Sequence, residues 1–151
     1  MKTTILFLII NFGALAIGGL MMDSGPSSEW YQNLNIAPWT PPGWVFGFAW
    51  STIMLCFSFF MYYAYFAIEN KRKLILLYII QLILNISWNP VFFYFHNTLL
   101  GLFIIGLLTL VTLLLFLISY SSIKFKALLI SPYILWLIIA TSLNAYIYIE
   151  N

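Results

Sequence analysis

Polar residues are so sparse along this chain that they cut it into five apolar runs, at about 4–22, 43–68, 74–95, 98–120 and 125–149. A helix needs roughly 20 residues to cross the hydrocarbon core of a bilayer, and each run is close to that length. The pattern therefore predicts an all-α membrane protein, a single domain over residues 1–151 built as a bundle of five transmembrane helices. Between the first two runs the pattern breaks. From Trp30 to Trp50 the chain carries Trp30, Trp39, Trp44 and Trp50, together with Pro38, Pro41 and Pro42. The prolines lack backbone donors and push the preceding residues away from helical geometry, so the first half of this stretch reads as a long Pro/Trp-rich loop. Its second half opens the second span.

The few polar positions inside the runs are not scattered. In the third run Gln81, Asn85, Asn89 and Phe92 recur at intervals of four, four and three, which keeps them on one helical face, with Ser87 and Trp88 beside it. The fifth run repeats the pattern with Trp136, Ala140, Leu143, Asn144 and Ile147, and the second carries Gly47, Trp50, Met54, Phe57 and Ser58. Amides in a bilayer core are costly unless paired, so they face the bundle interior, either as glue between helices or as the lining of a ligand site. Alternating spans place Trp50, Asn89 and Asn144 at similar depths, roughly 7–11 Å below one membrane surface at about 1.5 Å per residue. Above them runs the Asp23–Pro42 connection, much longer than the roughly two to eight residues usual between bundle helices, which reads as a lid.

Composition and charge change the picture in two ways. With 64% hydrophobic and 7% charged residues, and a mean hydropathy of +1.01, the chain cannot present a water-soluble surface. Threading five spans places all six basic residues (Lys2, Lys71, Arg72, Lys73, Lys124 and Lys126) on one side, opposite Asp23, Glu29 and Glu150. The positive-inside rule then sets the N-terminus in the cytoplasm and the C-terminus outside, and the lysine bias with Ile/Leu/Asn richness suits a bacterial cell membrane. The first run also resembles a secretory signal, with Ala14-Leu15-Ala16 as a cleavage site. Its apolar stretch from Ile5 to Met22 is longer than a signal core of ~7–15 residues, so it reads as a span whose small residues serve packing.

Candidate chemistry is limited. Cys56 stands alone, which leaves no disulfide framework and no thiolate metal site. His96, the single histidine, reads as a loop residue, with an axial haem ligand as the sharper alternative. No carboxylate lies deep in a span, so a proton-relay pump is poorly supported. No nucleotide motif, Ser/His/Asp set or basic nucleic-acid patch is present, and no cofactor is required by any motif. A pocket of Trp, Phe, Tyr and Met with a few amides and no net charge suits a large, flat, mostly apolar ligand. A porphyrin meets that description, and so does a sterol.

The residues that carry these arguments also match a family. The Trp30–Trp50 segment resembles the tryptophan-rich signature of the TspO/MBR family, which includes the translocator proteins, or peripheral benzodiazepine receptors. Tyr78, Gln81, Leu82, Asn85, Trp88 and Phe92 resemble its third-helix motif, and Pro132, Tyr133, Trp136, Ala140, Leu143 and Asn144 its fifth-helix motif. The resemblance implies a five-helix bundle, commonly a homodimer, that binds protoporphyrin IX and haem-related tetrapyrroles, cholesterol, and isoquinoline or benzodiazepine-type ligands. Family ligand contacts carry over onto Tyr31, Pro41, Trp50, Asn85, Phe92, Trp136, Ala140 and Leu143; the polar stripes add Gln81, Asn89 and Asn144. Some bacterial relatives degrade protoporphyrin in light, and the tryptophans credited there match Trp50 and Trp136. The chain departs from the animal pattern at its C-terminus, where no basic residue follows Tyr146 and Tyr148, which puts sterol recognition in doubt. Three functions remain in view: a tetrapyrrole-binding sensor or regulator, a light-dependent porphyrin-degrading enzyme, and a carrier of tetrapyrroles or lipids.

Overall fold

The computed structural model describes residues 2–151, and their secondary structure is entirely helical. Helix α1 spans Lys2–Leu20, followed by a 3-10 turn at Gly25–Ser27 and a single-turn helix α2 at Glu29–Gln32. Helix α3 covers Gly43–Ala67 and α4 Lys71–Asn89, the latter running into a π turn at Pro90–Tyr94. Helix α5 covers Thr98–Ile123, a 3-10 stretch follows at Lys124–Ile130, and α6 covers Ser131–Glu150. Four helical segments are long and apolar enough to cross a membrane: Lys2–Ser27, Gly43–Ala67, Lys71–Tyr94 and Thr98–Glu150. The last is 53 residues long but is not one rod. The chain turns through Lys124, whose φ of 50° lies in the left-handed region, and α6 packs back against α5.

Helix boundaries follow local chemistry. Asn70 caps α4 by accepting from the Lys73 amide at 3.0 Å, so the basic cluster joins the helix three residues before the apolar run begins. Asn97 caps α5 in the same way through the Leu100 amide at 2.9 Å. Helix α3 starts immediately after Pro42, and α6 carries Pro132 in its first turn, where the missing donor costs nothing. Two boundaries differ from the apolar pattern. The Asp23–Pro42 connection is not plain loop: no proline falls between Pro26 and Pro38, and Ser28 accepts from the Tyr31 amide at 3.2 Å to start α2. The third run does not stay α-helical to residue 95, because Pro90 has no N–H to give; the Phe95 amide instead reaches the Pro90 carbonyl at 2.9 Å, one residue further than an α-helix allows.

Helix α1 packs on α3 and α4, α4 on α5, and α5 on α6, while α3 also meets α6 and the 3-10 stretch. The core between them is aromatic and aliphatic: Phe57, Phe60, Met61, Leu74, Leu115, Tyr133 and Leu137 are fully enclosed. Outward, the helices present Ile9, Leu76, Ile83, Leu110, Leu117, Leu135 and Ile138. At most a third of each apolar span is buried within the protein, so most of the apolar surface needs lipid to cover it. The chain is a multi-pass integral membrane protein.

Polar residues tie the helices where no hydrophobic drive exists between them. Asn11 of α1 donates to the Ser58 hydroxyl of α3 at 2.8 Å and accepts from the Tyr78 hydroxyl of α4 at 2.7 Å, so one amide staples three helices. Such bonds contribute on the order of 1 kcal/mol each in a bilayer. Near the other end of α1, Gly18 lets the Asn89 amide approach closely: a Cβ there would lie 2.6 Å from Asn89 Nδ2.

A cavity beneath the folded 23–42 segment

The bundle is not packed solid. A cavity of about 640 Å³ opens between α1, α3, α4, α5 and α6, roofed by the 23–42 segment. Every side chain on its wall is uncharged, and its apolar share is dominated by Phe46, Trp50, Trp88, Phe92, Phe93 and Trp136. Its volume falls within the roughly 300–1,000 Å³ typical of small-molecule sites.

Local structure explains how each wall is built. The α6 stripe holds as a unit: Trp136, Ala140, Leu143, Asn144 and Ile147 all face the cavity, with Ala140 providing depth between the larger side chains. Trp136 is fixed edge-on by Phe46 at 5.2 Å, and Trp50 stands edge-on to Tyr133 at 5.9 Å. From α4 come Asn85, Trp88 and Asn89. Beyond them, in the π turn, Phe92 and Phe93 both reach the wall, Phe92 stacked on Trp88 at 5.0 Å.

The amides play different parts. Asn144 is spoken for at both ends: its Oδ1 accepts from the Trp88 indole at 3.1 Å and its Nδ2 donates to the Thr98 carbonyl at 2.8 Å, so it shapes the wall. The Tyr133 hydroxyl accepts from Asn85 Nδ2 at 2.8 Å, and Asn85 borders the cavity. Asn89 borders the space opposite Gly18. Gln81 is the exception among the residues singled out from sequence. It lies a full turn deeper than Asn85, 1% exposed, donates to Tyr133 at 2.7 Å, and does not reach the wall.

The roof contributes Pro26, Tyr31, Ile36, Thr40 and Pro41. It is pinned at three places. Trp30 stacks on His96 at 4.2 Å and 13°, Trp39 donates to the Ser142 hydroxyl at 3.2 Å and meets Tyr146 edge-on, and Asn35 bonds Asn151 and the Glu150 carbonyl. Tyr31 packs its ring against Phe92 and Phe93, and burial raises its phenol above the usual value, so it stays neutral. His96 is occupied by this stacking and is not on the cavity wall. Among the described residues, no group of three or more His, Cys, Asp or Glu could hold a metal.

The structure thus brings Tyr31, Pro41, Trp50, Asn85, Asn89, Phe92, Trp136, Ala140, Leu143 and Asn144 to one cavity. Sequence reasoning missed Phe46 and Phe93, and also the contributions of α1 (Leu15, Gly19) and α5 (Ile105, Leu108). Phe46 precedes Trp50 by one helical turn and was findable by spacing. Phe93 was not, because it lies off the four-four-three spacing that marked Gln81, Asn85, Asn89 and Phe92.

The sequence profile of the TspO/MBR family matches residues 5–149. A tryptophan-rich protein TspO from Archaeoglobus fulgidus is 30% identical over 91% of this chain and 90% of its own length. Protein CrtK from Rhodobacter capsulatus is 29% identical over 89% and 86%, and the human translocator protein 28% identical over 84% and 78%.

Proposed function

The chain belongs to the TspO/MBR family, and from that premise we propose that it is a membrane sensor or regulator that binds a tetrapyrrole in the cavity beneath its roof. The observation that carries this reading is the cavity itself: about 640 Å³, walled by indole and phenyl rings, without a charge, and bordered by the amides of Asn85, Asn89 and Asn144. Aromatic walls stack on a conjugated macrocycle, and a few amides orient its polar substituents. Isoquinoline and benzodiazepine-type molecules are flat and aromatic and fit the same wall. A sterol would occupy the same apolar volume, but without a basic residue after Tyr146 to orient its hydroxyl.

This reading includes five membrane crossings, with Thr98–Glu150 crossing twice around the 124–130 turn. All six basic residues then lie at the cytoplasmic end with the N-terminus, and the cavity opens toward the outer face of a bacterial membrane. It also includes a homodimer, the arrangement common in the family.

A second reading has an observation of its own. Trp50 and Trp136 line the cavity from two helices, where both would touch a bound porphyrin and exchange an electron with its excited state, dioxygen being the terminal oxidant of the ring. In that case the protein degrades the porphyrin in light. Titration of the purified protein with protoporphyrin in the dark tests the first reading: saturable quenching of tryptophan fluorescence at micromolar concentration is expected, and unchanged emission overturns it. Illumination of the same sample tests the second. Loss of the porphyrin absorption band that slows in Trp50→Phe and Trp136→Phe supports photochemistry, and an equal rate in the double variant refutes it.

A further inference from the structure

We propose that the basic end of the molecule carries a second site, an open groove between the last turn of α3 and the 124–130 turn, that takes the headgroup and upper acyl chain of an anionic phospholipid. The groove has a volume of about 370 Å³ and lies at the far end of α3 from the roofed cavity. One wall is aromatic: Tyr62 meets Tyr63 edge-on at 5.3 Å and Phe66 at 5.2 Å. The other is cationic and polar, formed by Ser122, Lys124 and Lys126.

The backbone arranges the lysines. Helix α5 ends at Ile123, and Lys124 takes a φ of 50°, a left-handed conformation that is unfavourable for a residue with a side chain. That turn starts the 3-10 stretch and sends both Lys124 and Lys126 to the groove. Lys126 Nζ sits 4.3 Å from the centre of the Tyr63 ring. A ring face attracts the ammonium without consuming its N–H donors, which remain available to phosphate oxygens.

The chemistry favours a lipid over a soluble anion. The groove lies where α3 and α5 both end, at the level at which a spanning helix meets the headgroups. A free phosphate would use the lysines and Ser122 and leave the aromatic wall bare. A phospholipid uses both halves, its phosphate on the cations and its first methylenes along Tyr62 and Phe66, the latter 61% exposed. Two cations against one zwitterionic headgroup gain little, so the preference is for a net negative one.

The test is native mass spectrometry of delipidated protein in detergent, with phosphatidylglycerol and phosphatidylcholine as probes and no porphyrin present. Phosphatidylglycerol is expected to be retained in preference to phosphatidylcholine. Lys124→Gln/Lys126→Gln should weaken it about thirtyfold, as expected for two basic residues near an anionic headgroup. Lys71→Gln/Lys73→Gln removes equal charge from the same end outside the groove and should change retention less than about twofold. Equal loss in both pairs refutes a localised site, as does equal retention of the two lipids. Displacement by millimolar inorganic phosphate would reduce the groove to an anion site and overturn the lipid assignment. Thermal unfolding of each variant establishes that it is folded, and Tyr62→Ala/Phe66→Ala, which keeps the charge, should weaken the lipid as well.

Discussion

Replacing Tyr133 by phenylalanine removes one oxygen atom from the centre of the bundle and leaves two amides without their acceptor. Gln81 Nε2 reaches that oxygen at 2.7 Å and Asn85 Nδ2 at 2.8 Å. The two losses are unequal. Gln81 is 1% exposed and its Oε1 already lacks a partner, so Tyr133→Phe strips it of every hydrogen bond, at about 1–3 kcal/mol for a buried amide left unmet. Asn85 borders the cavity and can be hydrated there, so its loss costs about 0.5 kcal/mol. Interhelical hydrogen bonds in membranes average about 0.6 kcal/mol, which sets a floor near 1.2 kcal/mol for the pair. The expected destabilisation is therefore about 1.5–3.5 kcal/mol, measured by denaturant unfolding in mixed micelles. The discriminating step is a double-mutant cycle with Gln81→Leu. Once Tyr133 is gone, removing the orphaned amide should be neutral or stabilising, giving a coupling energy of about 1 kcal/mol or more. Strict additivity of the two substitutions would refute the argument, because it would mean that the 2.7 Å contact does not decide the cost.

Other consequences are simpler to test. Gly18→Ala puts a methyl 2.6 Å from Asn89 Nδ2, so it should displace that amide and weaken porphyrin binding several-fold in a fluorescence titration; unchanged affinity would exclude Asn89 from the ligand's surroundings. Ala140→Phe fills the middle of the α6 wall and should abolish porphyrin binding while leaving the circular dichroism spectrum helical; retained binding would place the ligand elsewhere. Trp39→Phe deletes the hydrogen bond to Ser142 but keeps an aromatic ring against Tyr146, so roof amides around residues 35–40 should exchange hydrogen faster, by about fivefold for a loss of ~1 kcal/mol, while α4 and α5 stay protected. Uniform acceleration across the bundle would show that Trp39 stabilises the whole fold and not the roof alone.

Much of this architecture could be read from spacing. The apolar runs placed α1 and α3 within two residues, and the α6 stripe from Trp136 to Ile147 reached the cavity intact because nothing interrupts the helix that carries it. Periodicity failed where the backbone leaves the α-helix. Pro90 signals an interruption, but the choice of a π turn over a kink depends on the Phe95 amide finding the Pro90 carbonyl, a contact made only in the folded chain. Gln81 shows a different limit. Its stripe position is right, but which members of a polar face meet a cavity and which meet another side chain is decided by Tyr133 across the bundle. The single helical turn at Glu29–Gln32 was hidden by prolines on either side of it, although Ser28 marks its start.

The pins that hold the roof join residues very far apart in the chain. Trp39 and Ser142 are separated by 103 positions, and Asn35 and Asn151 by 116. A chain made from its N-terminus onward threads α1 and α3 long before α6 exists, so the roof segment spends most of synthesis without the partners that close it. Contacts of such separation form late, since the ordering of everything between them comes first. The roof is therefore fastened in order, first by Trp30 on His96, then by Trp39 on Ser142, and last by Asn35 on Glu150 and Asn151. Shedding the last few residues of α6 would release the Asn35 pin alone and leave the roof held by the Trp30–His96 stack and the Trp39 bond to Ser142.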